Sequence, residues 1–130
     1  MPVTAQWDNE DHTVLRINYE GKLTIGELAQ EWSHSRTLLD TIDHSADIVM
    51  DFRTTQGIPP NSTSAFGQIK LLAEHPNAGL ILIVGANLMV QTFAKIFLQM
   101  FAGIAPRVEF VDTLEEAYTR LAEFDSTTQT

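Results

Sequence analysis

Leu80-Ile81-Leu82-Ile83-Val84 is a run of five aliphatic residues with no polar side chain among them. A strand with one wet face alternates apolar and polar residues, so an unbroken aliphatic run marks a strand buried on both faces. Its place is the centre of a sheet with parallel neighbours, whose crossover helices cover it. Just upstream, Ala65, Phe66, Ile69, Leu72 and Ala73 recur at helical spacing, with Asn61-Ser62-Thr63-Ser64 ahead of them as potential N-caps and Pro76 behind. Just downstream, Gly85-Ala86 ends the strand, and Asn87 caps a helix expected to reach about Gly103 before Pro106 breaks the chain. Val108, Phe110 and Val111 predict a further strand. Thr113-Leu114-Glu115-Glu116 is a capping box, and Leu114, Ala117, Tyr118 and Leu121 give the last helix its inner face.

Further upstream, Ile48-Val49-Met50-Asp51-Phe52 predicts another strand, followed by a loop over residues 53–60 that holds Gly57 and Pro59-Pro60. A capping box at Thr24-Ile25-Gly26-Glu27 opens a helix with Ile25, Leu28, Ala29, Trp32 and Leu39 on one side, ending near Thr41. At the start, Val3, Ala5 and Trp7 alternate with polar residues, as do Leu15, Ile17 and Tyr19. The polar residues 8–12 lie between the two runs, which together predict an antiparallel hairpin. The expected order is β-β-α-β-α-β-α-β-α: one α/β domain over residues 1–124, a mixed sheet with an antiparallel first strand, the rest mostly parallel, and four flanking helices. Residues 125–130 are polar and are expected to form a frayed tail.

At 130 residues the chain suits one domain with a proper core, and 44% hydrophobic against 19% charged residues is a globular composition. Eight Lys and Arg against 17 Asp and Glu leave a net charge of −9. That charge repels nucleic acid and anionic lipid at long range, so neither is an expected partner. The absence of cysteine removes disulfides, thiol nucleophiles and Cys-based metal sites together. Residues 1–7 lack a basic region followed by an apolar run, and no apolar stretch reaches the ~18 residues of a membrane span. A soluble, cytoplasmic protein is the expectation.

No residue cluster specifies a reaction. His12, His34, His44 and His75 are scattered, with no i, i+4 pair for zinc, so no metal site is expected. A G-x-S-x-G elbow is absent. The glycines around the central strand belong to neither G-x-G-x-x-G nor G-x-x-x-x-G-K, so no nucleotide or other cofactor is expected.

The element order, sharpest from Ile48 to Phe66, resembles the STAS family, which includes the bacterial anti-sigma-factor antagonists and the cytoplasmic domains of some anion transporters. Its members have an apolar strand closing on Asp plus an apolar residue, a short loop, and a Ser or Thr opening the next helix. Here Asp51-Phe52 matches the strand end, and Ser62, Thr63 or Ser64 falls where the family's phosphorylatable hydroxyl stands. The family tends to show Asp-Ser-Ser-Gly or Asp-Ser-Thr-Gly there; this chain has Asn61-Ser62-Thr63-Ser64-Ala65 behind a longer, proline-bearing loop. The resemblance implies a non-enzymatic regulatory domain that binds another protein. Response-regulator domains resemble one another in an acidic pair after the first strand and a Lys after a late one. Asp51 has no such Lys, since Gly85-Ala86 and Asp112 occupy those places.

Two places become candidate sites. Ser62, Thr63 and Ser64, with Arg53 nearby, suit phosphorylation or anion binding, because a helix start favours negative charge; plain N-capping is the alternative. The helix over residues 88–103 carries more large apolar side chains than one sheet-facing stripe needs, with Lys95 as its only charge. Phe93, Phe97 and Phe101 recur at i, i+4 and i+8, and Met89 and Met100 add adaptable contacts. Phe93, Phe97, Met100 and Phe101 are therefore expected to meet a protein partner or a second copy in a homodimer. The alternatives are an apolar, lipid-like ligand in a cavity under this helix, or simple burial within the domain.

Overall fold

All five residues of the aliphatic run are buried, on an interior strand of a five-stranded sheet, one place in from the edge rather than at the centre. The computed structural model describes residues 3–59 and 61–128, with side chains described through residue 124. The strands are β1 (Val3–Trp7), β2 (Val14–Gly21), β3 (Ala46–Thr55), β4 (Ala78–Val84) and β5 (Val108–Val111), lying side by side in chain order. β1 is antiparallel to β2, and every later pairing is parallel. The helices are α1 (Ile25–Asp40), α2 (Phe66–Ala73), α3 (Leu88–Met100) and α4 (Leu114–Thr128). The mixed sheet with four helices is the architecture the sequence predicts.

Strand order follows chain order, so every right-handed crossover lands on the same face of the sheet. The main core accordingly joins Leu28 and Trp32 of α1, Phe66 and Leu72 of α2, and Val90 and Phe97 of α3 to Ile17, Ile48, Met50 and Ile81. Only α4 lies on the opposite face, where Ala117 and Leu121 close a small second core with Val49, Leu82 and Val84. At that face Val14 of β2 packs against this second core, and the other outward residues of β1 and β2, among them Gln6, Arg16, Asn18 and Glu20, are polar. The strand order never reverses, so the sheet has no switch-point crevice of the kind that holds ligands in doubly wound folds.

Several boundaries differ from the sequence expectation. β3 runs on to Thr55, because Glu20 and Gly21 of β2 continue the ladder to Thr54 and Thr55. α3 stops at Met100, where Phe101 leaves helical geometry at φ −127°, ψ 66°. A tight 3-10 turn over Ala105–Arg107 then absorbs Pro106. α4 continues to Thr128, into the stretch from residue 125 read as a tail, since no Gly or Pro interrupts its hydrogen bonding. Residues 129 and 130 of that expected tail lie outside the described residues.

Two local devices matter for the sites. Edge strand β1 has an outward amide at Ala5, and buried Glu31 of α1 accepts from it at 3.2 Å, which blunts the edge. Gly85 ends β4 at φ +64°, and a Cβ there would stand 2.5 Å from Arg53 Cγ, so β3 and β4 approach closely where Arg53 lies.

Candidate functional site

The Ser/Thr cluster forms a 3-10 turn, Ser62–Ala65, that leads into α2. Asn61 enters it in the left-handed region at φ 65°, and its carbonyl accepts from the Ser64 amide at 3.1 Å. Ser62 is buried, and its hydroxyl donates to the Pro59 carbonyl. Thr63 and Ser64 are exposed. Neither Asn61 nor Ala65 makes a side-chain cap, so N-capping is not what these hydroxyls do. Arg53, read from the sequence as a neighbour of Ser62, Thr63 and Ser64, has its guanidinium engaged by Asp51: its Nε and Nη2 each donate to that carboxylate at 2.9 Å, a fork-on-carboxylate pair.

Asp51 anchors a charged cluster that sequence reading missed. It also accepts from the Arg53 amide at 3.1 Å and from Arg16 Nη2 at 2.9 Å. Burial alone would raise its carboxyl, but hydrogen bonds and charge from Arg53, then Arg16, outweigh this and hold it below the usual carboxylate range. Arg16 Nε donates to Asn18 Oδ1 at 2.8 Å, and Arg16 Nη1 lies 3.9 Å from Asp8. Tyr118 of α4 donates its hydroxyl to Asp8; burial first, then that bond and the Asp8 charge, raises the tyrosine above its ordinary value. The cluster crosses the polar side of β1–β3 and ties α4 to it. Its sequence signal is slight: Arg16 is an outward residue of an alternating strand, and Asp51 lies 35 positions away.

α3 has two apolar faces. Val90, Ala94 and Phe97 are buried, and Phe93 and Phe101 are half-buried against the same core. Phe66 of α2 meets Phe93 at 4.9 Å and Phe97 at 5.4 Å between ring centroids, and Phe97 meets Phe101 at 5.0 Å. Of the residues expected to meet a partner or an apolar ligand, Phe97 is buried, while Phe93 and Phe101 are half-buried and pack with it between α3 and α2. Met100 does stay outside. The outer face is Leu88 (78% exposed), Met89 (56%), Ile96 (42%) and Met100 (61%). The loop before the Ser62 turn rests on this face, with the Ile58 amide donating to Met89 Sδ at 3.3 Å.

Beneath α3, Trp32, Met50, Phe52, Phe93, Phe97 and Ile104 help line a wholly apolar cavity of about 40 Å³. Pockets for drug-sized ligands run to roughly 300–1,000 Å³. The histidines have structural partners. His75 accepts from the Asn77 amide at Nδ1 (3.0 Å), so Nε2 carries the proton it gives to Asp40 at 2.7 Å, tying α2 to the end of α1. His12 stacks on Trp7 with centroids 4.6 Å apart, and His44 meets the His12 carbonyl at 3.0 Å. Among the described residues no group of His, Asp or Glu is placed to hold a metal ion, and no helix is long and apolar enough to cross a membrane.

The arrangement is a STAS-like fold. In particular, the chain is similar to the anti-sigma factor antagonist SpoIIAA in its unphosphorylated form, at 16% identity and a TM-score of 0.63 over 93% of this chain and 96% of that one. It is also similar to the Bacillus cell fate determinant SpoIIAA in the phosphorylated form, at 16% identity and a TM-score of 0.56 over 92% and 98% of the two chains. No family model and no curated protein sequence matches it.

Proposed function

We propose that this chain is a non-enzymatic, cytoplasmic regulatory domain that works by binding protein, in the manner its fold shares with anti-sigma factor antagonists. The observation that carries the reading is the outer face of α3, where four large apolar side chains stand in water. Fully burying such a side chain is worth ~1.5–3 kcal/mol, so a face of this kind is stabilised by contact with a protein partner or a second copy. The Ser62 turn adjoins that face through Ile58 and Met89, so phosphorylation of the turn would put charge at the rim of the contact. Thr63 and Ser64 are the accessible hydroxyls; Ser62 is buried and engaged.

Intact-mass measurement of protein isolated from its own cells tests the phosphorylation. The expected result is a phosphoform that survives Ser62→Ala and is lost in Thr63→Ala or Ser64→Ala. A single unmodified mass under every growth condition would remove the switch and leave a constitutive interaction domain. The void under α3 is the one observation favouring a small apolar, lipid-like ligand. That reading requires the helix to lift, and native mass spectrometry of freshly purified protein would reveal the ligand as added mass.

A further inference from the structure

We propose that Met89 is an oxidation site whose sulfur latches the strap over residues 56–59 onto α3, so that a peroxide-class oxidant loosens the segment leading into the Ser62 turn. The inference deepens the interaction reading above, and rests on it for what the turn controls. Met89 is more than half exposed, yet its sulfur is engaged: Sδ accepts from the Ile58 amide at 3.3 Å. Gly57 lies against the same atom. A Cβ there would stand 3.0 Å from Sδ and 3.8 Å from Cε, so bare backbone rests on the thioether. On the upstream side the strap is tied to β3, where the Thr55 hydroxyl meets the Gly57 carbonyl and amide at 3.3 and 3.4 Å. On the downstream side the Ser62 hydroxyl donates to the Pro59 carbonyl. Pro59 and Pro60 have no amide to donate, so Ile58 supplies the backbone donor between these two ties. The Ile58 side chain also packs on the main core, which makes loosening, rather than unfolding, the result of losing the sulfur contact.

Oxidation acts on the atom that makes the contact. A sulfur lone pair attacks one oxygen of the peroxide, the S–O bond forms as the O–O bond breaks, and the peroxide leaves as water or an alcohol. Sulfur is oxidised by two electrons and the peroxide is reduced by two. The product accepts hydrogen bonds through its oxygen, while its sulfur becomes electropositive and repels the Ile58 N–H dipole. The close approach of Gly57 leaves no room for the new oxygen on the strap side of the sulfur. The Ile58 amide therefore loses its acceptor. Two other methionines serve as internal references. Met50 is buried in β3, out of reach of a dissolved oxidant. Met100 is as exposed as Met89 but lies about 16 Å further along α3, away from the strap.

Hydrogen peroxide titration of the full chain tests the proposal, with oxidation at each methionine read by peptide mass mapping and exchange of the Ile58 amide read by NMR. Circular dichroism monitors the fold. The expected result is conversion of Met89 and Met100 while Met50 stays reduced. Exchange at Ile58 should quicken about three- to tenfold in step with Met89. Methionine sulfoxide reductase should restore the slower rate. Met100→Leu should leave this response intact, whereas Met89→Leu should abolish it and start from the faster rate. A Met89 that resists peroxide while Met100 reacts overturns the proposal. So does a fully oxidised Met89, or a Met89→Leu variant, with Ile58 exchange unchanged. None of these readouts needs a partner or a phosphoform. A latch that responds in a chain that is never phosphorylated and binds no protein therefore removes the interaction reading and leaves the oxidation site standing.

Discussion

Asp51 sits almost out of water with two guanidiniums on its oxygens, and its ionised form is held in place by them. Removing the carboxylate leaves Arg16 and Arg53 without their acceptor, and both are partly exposed, so water recovers some of the loss. Asp51→Asn is expected to cost about 1–3 kcal/mol in urea unfolding at neutral pH. The pH dependence has a definite sign. The folded carboxyl titrates below its unfolded value of about 3.9, so its stabilisation is complete above that value and is lost as the pH falls through the lower folded one. Wild type and Asp51→Asn should therefore converge in stability on acidification through this window. A gap that persisted in strong acid would mean that packing, rather than charge, holds the site. Gly85 next to it is required twice, by φ +64° and by the 2.5 Å approach of Arg53 Cγ to a Cβ. Gly85→Ala should cost about 1–3 kcal/mol by the same measurement.

On the scale of elements, α3 is the best measure of what the sequence makes legible. Its existence and start follow from local chemistry: Asn87 accepts from the Val90 amide at 3.0 Å, and an uninterrupted helical run follows. The aliphatic β4, the hairpin and the Thr24 capping box are legible for the same reason, since period and cap lie within a few residues of each other. Which apolar stripe of α3 faces inward is not local information. Two stripes are greasy, and the choice depends on Phe66, on a different helix, offering a ring for Phe93 and Phe97 to pack on. The Asp51 cluster is hidden likewise, because Asn18 pairs with Asp51 through a strand register that no short motif encodes. The two faces of α3 predict opposite behaviour. Phe97→Ala should destabilise by about 3–5 kcal/mol through the cavity it adds to one already present. Ile96→Ser and Met100→Ser should stay within about 0.5–1 kcal/mol in dilute, monomeric solution. Equal losses on both faces, measured by chemical denaturation, would show that the outer stripe is covered within the monomer.

The whole molecule combines a few close ion pairs with a surplus of acid, and the two respond to salt in opposite directions. The Asp51–Arg16–Arg53 group and the Arg120–Glu109 pair, the latter bonded at 2.7 and 2.8 Å, are attractive contacts that salt can only weaken. All are short, and Asp51 is buried, so screening reaches the Asp51 group poorly and the more exposed Arg120–Glu109 pair somewhat more. The exposed acids outside residues 54–108, among them Glu10, Asp11, Glu20, Asp43, Asp112, Glu115 and Glu123, repel one another over longer, solvent-exposed distances. At 0.1 M salt the screening length is about 10 Å, enough to quench that repulsion while leaving the short pairs nearly intact. The melting temperature, measured in dilute solution where the chain is monomeric, should therefore rise as sodium chloride is added from low to moderate concentration. A melting temperature that fell instead would mean that the attractive pairs outweigh the surplus of acid.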